Sequence, residues 1–187
     1  MGQSVVCVCL VGAFAIAACS SGPAIHTSLD PGANLSSYKT YAFVPQPGTN
    51  RDGNSTPLTS YFESAIASEM SSRDYIPAQN APPDILVNFN TNVRQQADIR
   101  ATPGFGGYYG YRAGLYSGVE GVETVHYKVG TANIDLVDAN KRAVIWEGVA
   151  EGELTNKVLK DPQAAVQRVV AAMFMRFPGR AAGQASR

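Results

Sequence analysis

The chain offers few side chains suited to covalent or acid–base chemistry, and their spacing decides what they can do. All three cysteines, Cys7, Cys9 and Cys19, fall within the first 19 residues. From Ser20 onward there is no thiolate nucleophile, no disulfide and no cysteine metal ligand. His26 and His126 are the only histidines, and neither has a Cys or a second His at ligand spacing, so no metal site is expected. No Gly-x-Ser-x-Gly elbow occurs, and Gly104-x-Gly106 is followed by Tyr109 where a dinucleotide fingerprint needs Gly. The remaining candidates are the carboxylates Asp135, Asp138, Glu147, Glu151 and Glu153. Hydrolysis by general acid and base would need two of them in one cleft with separated pKa values. The three glutamates alternate along one strand face and the two aspartates flank a turn, so solvated and turn-forming roles are expected. His126, between Val125 and Tyr127, is expected on the face opposite the core. No catalytic residue and no cofactor is assigned, and an envelope hydrolase built on these carboxylates is the least favoured reading.

One cysteine does stand in a chemical context. Residues 5–18 form an uncharged apolar run of 14 residues, too short to span a bilayer of roughly 30 Å but suited to the core of a signal peptide. It ends in Ile16-Ala17-Ala18-Cys19, an aliphatic residue and two small ones before a cysteine, which resembles the bacterial lipobox. Cleavage between Ala18 and Cys19 would free an amine for acylation, and the thiol would carry diacylglycerol. The chain is therefore expected to comprise a signal peptide at 1–18 and a lipidated Cys19 with a tether to residue 24. Several acyl chains, at about 0.8 kcal/mol per buried CH₂, would hold the body to a membrane. Met1-Gly2-Gln3-Ser4 lacks the basic residue that opens most leaders. Ser20 after the cysteine, rather than Asp, resembles lipoproteins exported to the outer membrane.

The elements that would position any site follow from apolar periodicity. Val125, Tyr127 and Val129, then Ala132, Ile134 and Leu136, then Val144 to Leu154 at even positions, predict a long hairpin over 122–156. The change of parity beside Gly130 predicts a β-bulge there. With a turn at Ala139-Asn140-Lys141, Asn140 left-handed, Leu136 would face Val144, Ile134 would face Trp146, and Lys128 would oppose Glu153. Strands are also expected at Ile25–Leu29, Tyr38–Val44 and Ile85–Arg94. Thr56-Pro57 and Asp161-Pro162 read as N-caps with Pro at the first helical position. The helices they start would bury Leu58, Phe62, Ala65, Ile66 and Met70, and Val166, Val169, Val170, Met173, Phe174 and Phe177. Trp146 is expected as a core anchor beneath them. Residues 95–121 carry seven Gly and five Phe or Tyr with no sustained period, which predicts a mobile loop. Its Tyr108, Tyr109, Tyr111 and Tyr116 are the candidate contacts for a protein or glycan partner. The predicted fold is α+β: a mainly antiparallel sheet with a long central hairpin and two helices on one face, one domain over 25–178 and a frayed tail at 179–187.

Lys and Arg number 15 against 15 Asp and Glu, so the chain lacks the basic footprint of a nucleic-acid binder. Four segments carry a family resemblance. They are Asp30-Pro31-Gly32 through Tyr38-Lys39-Thr40-Tyr41-Ala42-Phe43, Pro83-Asp84-Ile85-Leu86-Val87-Asn88-Phe89, Ile134 to Asp138 leading into Val144-Ile145-Trp146-Glu147-Gly148, and Phe174-Met175-Arg176-Phe177-Pro178. Together they resemble a bacterial lipoprotein family known as domain of unknown function 4136. The resemblance implies a small α+β domain on a lipid anchor in a Gram-negative envelope, and supplies no catalytic residue. The functional expectation is a non-catalytic outer-membrane lipoprotein with its body in the periplasm. Its partners would be the membrane, through the N-terminal lipid, and an envelope protein; a glycan- or peptidoglycan-binding module is the alternative.

Overall fold

The computed structural model describes residues 22–102 and 121–179. The leader, Cys19, the four loop tyrosines and the tail beyond Gly179 lie outside the described residues. Six strands form one sheet in the order β1-β6-β5-β4-β2-β3, and three helices accompany it among the described residues. The strands are β1 (Ala24–Leu29), β2 (Thr40–Phe43), β3 (Ile76–Pro77), β4 (Ile85–Thr102), β5 (Gly121–Asp138) and β6 (Ala143–Glu153). The helices are α1 (Pro57–Ser71), α2 (Asn156–Lys160) and α3 (Pro162–Phe174).

Both long helices start as their caps dictate. Thr56 Oγ1 accepts from the Thr59 amide at 3.2 Å while Thr59 Oγ1 accepts from the Thr56 amide at 3.4 Å, a reciprocal capping box ahead of Pro57. Asp161 Oδ1 accepts from the Ala164 amide at 3.0 Å, ahead of Pro162. The predicted apolar faces are the buried ones: Phe62, Ala65, Ile66 and Met70 on α1, and Val166, Val170, Met173 and Phe174 on α3. The short α2 was not legible, since five residues contain barely more than one turn of periodicity.

The sheet is mixed, and only mostly antiparallel. β2 pairs in parallel with β3 and with β4, whereas β1·β6, β5·β6 and β4·β5 are antiparallel. The parallel pairs follow from α1, a crossover that returns the chain to the same end of the sheet.

The central hairpin is present with a different register. Leu136 pairs with Trp146 and Ile134 with Gly148, and the irregularity falls between Leu136 and Val137, where Ile145 is the extra residue. The bulge turns two consecutive side chains inward. Ile145 is 2% and Trp146 1% exposed, while Val144 is left 52% exposed. Beside Gly130 there is no bulge: β4 and β5 pair without interruption from Ile85↔Asp138 to Thr102↔Gly121. The change of parity instead sends two apolar sets to opposite faces, Ile134 and Leu136 toward the helices and Val129 outward. Glu153 consequently pairs with Val129, and Lys128 lies on the other face. The left-handed residue of the turn is Arg142 (φ 54°), not Asn140, because the Asp138 carboxylate draws the Asn140 and Lys141 amides into a longer turn.

The core lies between the sheet and the helices. Phe62 of α1 stacks on Phe89 of β4 with ring centroids 5.4 Å apart. Trp146 packs on Phe174 at 5.3 Å and on Phe177 at 5.1 Å. Gly148 makes room for that indole, since a Cβ there would sit 2.5 Å from Trp146 Cη2. Residues 95–102 do not open a loop. They continue β4 against residues 121–128, because extended backbone there finds its hydrogen-bond partners in the returning strand.

Candidate functional site

That continuation creates the most distinctive surface of the molecule. β6 ends at Glu153 opposite Val129, yet β4 and β5 run on together from Gln95↔Lys128 to Thr102↔Gly121. Among the described residues, the last backbone bonds flanking this ribbon are Gly48 N to Phe89 O at 2.9 Å and Leu154 N to Lys128 O at 2.8 Å. Beyond them both edges of the ribbon are open among the described residues.

At the ribbon base the chain turns from β6 into α2, with Thr155 Oγ1 accepting from the Val158 amide. Leu154 folds over Gly130, where a Cβ would lie 2.7 Å from Leu154 Cδ2. The corner so formed is an open groove of about 620 Å³, lined by Gln95, His126, Tyr127, Lys128 and Lys157, with Glu153 beside Leu154. His126 is exposed as expected, but it shares the inner face with Ile134 and lines the groove opposite Lys157 of α2. On the outer face Arg94 Nη2 reaches Glu151 Oε1 at 2.5 Å, and the Tyr127 hydroxyl donates to Asp98 Oδ2 at 3.1 Å. A second open depression of about 640 Å³ lies at the other edge of the sheet, lined by Thr40 and residues 76–82.

The carboxylates singled out in the sequence are divided between faces. Asp135 and Asp138, three residues apart on β5, project to opposite sides. Asp138 is 3% exposed; it accepts from the Asn140 and Lys141 amides, both at 2.9 Å, and from the Tyr38 hydroxyl at 2.8 Å. The Lys141 amide and the Tyr38 hydroxyl hold its carboxyl below the usual range. Burial, then the bond to Asp138, pushes the Tyr38 hydroxyl up to about 12. Asp135 sits outward, directly opposite Glu147, with Asn88 Nδ2 at 3.5 Å. Burial first, and Glu147 second, raise its carboxyl above the usual range. Glu147, Glu151 and Glu153 share the outer face, as their spacing predicts. Among the described residues no group of three His, Cys, Asp or Glu could hold a metal ion, and no helix is long and apolar enough to cross a membrane.

Two polar anchors escaped the sequence reading. Asp84 Oδ2 accepts from the Lys39 and Thr40 amides at 2.8 and 2.9 Å and from Thr40 Oγ1 at 3.1 Å, which holds its carboxyl low. This pins β2 at the start of β4, as the Tyr38–Asp138 bond joins the approach to β2 to the end of β5. The segments that carry the family resemblance thus contribute to the scaffold.

The fold and these anchors define a class, a helix-covered mixed sheet extended by a ribbon. The chain belongs to the family described as Domain of unknown function (DUF4136), whose model matches residues 25–179. No curated protein matches it. Among solved structures it is similar to a DUF4136 family protein from Bacteroides thetaiotaomicron, at 14% identity and a TM-score of 0.53, over 85% of this chain and 97% of that one. It is also similar to a PDZ domain protein from Parabacteroides distasonis, at 16% identity and a TM-score of 0.54, over 82% of this chain. There the chain spans only about a third of the other protein, 35% of its length. At such identities the likeness is one of fold.

Proposed function

We propose that this protein is a non-catalytic lipoprotein of the outer membrane, anchored through Cys19 with its body in the periplasm, whose domain binds an envelope partner. The single observation that carries the binding role is the ribbon: a strand pair that leaves the body with both backbone edges open among the described residues serves recognition better than chemistry. Ile16-Ala17-Ala18-Cys19, five residues before β1, supports the anchor. Tyr108, Tyr109, Tyr111 and Tyr116 fall between the ribbon's two strands in the sequence and are the candidate contacts.

Radiolabelled palmitate incorporated by the full chain and lost in Cys19→Ala tests the anchor; equal labelling of both overturns it. Cross-linking and mass spectrometry in intact envelopes, with and without residues 103–120, tests the partner. Recovery of the same neighbours from both forms would remove the tyrosines from the interface. A second reading, a glycan-binding module, is favoured by the polar groove that places Tyr127 beside Gln95 and Lys128. Co-sedimentation of the protein with purified sacculi is its test, and failure to be retained ends it.

A further inference from the structure

The N-terminal chain and the ribbon leave the body at the same end of the sheet. Ala24 pairs with Glu151, two residues before the end of β6. The ribbon departs where Val129 pairs with Glu153 and continues in the same direction for the eight rungs from Gln95↔Lys128 to Thr102↔Gly121. At about 3.3 Å per residue these cover about 26 Å. Cys19 stands five residues before Ala24, so its Cα lies at most about 17 Å from that of Ala24. Glu151 to Glu153 takes up about 7 Å of this, leaving about 10 Å past the end of β6. The ribbon outreaches the tether by about 16 Å.

With the strands upright on a bilayer that holds an acylated Cys19, the ribbon would have to enter hydrocarbon. Open sheet edges are not tolerated there, because each unpaired backbone group costs several kcal/mol. Most of the ribbon's described side chains, among them Gln95, Gln96, Asp98, Thr124, His126 and Lys128, are also polar, with Ala97 and Val125 the apolar exceptions. The body must therefore tilt until the ribbon lies along the headgroup layer. Charge decides which side lies down. The outer face carries Asp98, Asp135, Glu147, Glu151 and Glu153, with Arg94 engaged by Glu151. The inner side of the ribbon carries Lys128, and α2 adds Lys157 across the groove and Lys160 at its own C-terminal end, three cations against the one carboxylate among the described residues, Glu153, at the groove's rim.

Resting on the lipid-anchor reading above, we infer that the corner between the ribbon and α2 is the surface this domain sets against the phosphates of an anionic phospholipid bilayer. Lys128, Lys157 and Lys160 supply the attraction, each cation near such a surface strengthening association about fivefold. The tether length makes the contact obligatory rather than incidental.

The test is photo-cross-linking of the full chain in its own membranes. A benzophenone-bearing residue is placed at Thr124 on the ribbon or, for comparison, at the exposed Ser68 near the far end of α1. Phospholipid adducts and the acylation of Cys19 are read in the same mass spectra. Adducts at Thr124 and not at Ser68 are expected, falling about tenfold or more when Lys128→Glu and Lys157→Glu are combined. Acylated Cys19 with no adduct at Thr124, or with equal adducts at both positions, overturns the contact while leaving the anchor standing. Unmodified Cys19 with no adducts overturns both. Adducts indifferent to the two charge reversals overturn the role given to the lysines.

Discussion

The Tyr38 hydroxyl donates a 2.8 Å hydrogen bond to Asp138 Oδ2 from a position 100 residues earlier in the chain, and both side chains are buried. The bond couples the segment before β2 to the turn that closes the central hairpin. Removing the hydroxyl in Tyr38→Phe leaves a buried carboxylate one donor short, which costs about 1.5–3 kcal/mol. Denaturant unfolding at pH 7 checks this. The pH dependence has two windows. Asp138 is held below its ordinary 3.8, so its contribution is present above pH 3.8 and is lost as pH falls through the lowered value. Tyr38 is raised from 10.0 to about 12, so its contribution is whole below pH 10 and is lost as pH rises toward 12. Tyr38→Phe is expected to move the acid-unfolding midpoint upward and to remove Tyr38's share of the alkaline window, leaving that of Tyr41, whose hydroxyl burial also raises.

Asp135 faces Glu147 across β5 and β6, and its carboxyl is raised by burial and by that neighbour. A raised carboxyl means that the ionised form is penalised in the fold. The penalty is complete above the raised value and disappears as pH falls below it. Asp135→Asn is therefore expected to stabilise the protein at pH 7 by about 0.2–1 kcal/mol, the scale of a cross-strand pair. At pH 3 the two proteins should melt together. A lower melting temperature for the variant at pH 7 would contradict this account.

Gly148 lies beneath the Trp146 ring, with Met173 Sδ 3.2 Å from where its Cβ would be. The indole cannot retreat, because Phe174 and Phe177 already close its other sides. Gly148→Ala should destabilise by about 1–3 kcal/mol through overpacking, although alanine is otherwise the better strand residue. A calorimetric melting temperature reads the loss, and Trp146 fluorescence should report a displaced ring.

Much of this fold was legible, and the exceptions share a cause. Proline after a capping residue located α1 and α3, and three- and four-residue steps named the faces they bury. Alternation located β4, β5 and β6, and identified Trp146 as buried. Periodicity counts residues within a strand, however, and does not see the strand alongside. The bulge was therefore placed at Gly130, where the sequence changes parity, instead of at Ile145, where the Asp138 turn demands an extra residue. The parallel pairing of β2 with β4 was invisible for the same reason. The ribbon was missed although Ala97, Ile99 and Ala101 alternate with Asp98, Arg100 and Thr102, because so short an alternation running into a Gly- and Tyr-rich stretch does not reveal the returning strand that pairs with it. Lys128 and Lys157 come together at its base through register and the short α2, which no local spacing encodes.

Arg94 and Glu151 reach across β5 to one another, and between them lies Val129, only 4% exposed on a face that carries none of the described helices. The ion pair itself is exposed and is expected to contribute about 0.2–1 kcal/mol, reduced by salt. The Arg94 stem has a second role, since register places it beside Val129, where its methylenes keep water from an outward apolar side chain. Arg94→Ala should therefore cost more than the coupling energy that a double-mutant cycle with Glu151→Ala returns. Arg94→Met restores the stem without the charge and should recover most of the difference. High salt should erase the Arg94–Glu151 coupling but leave the gap between the Ala and Met variants unchanged. If Ala and Met prove equally destabilising, the stem contributes nothing and Val129 owes its burial to the flanking strands alone.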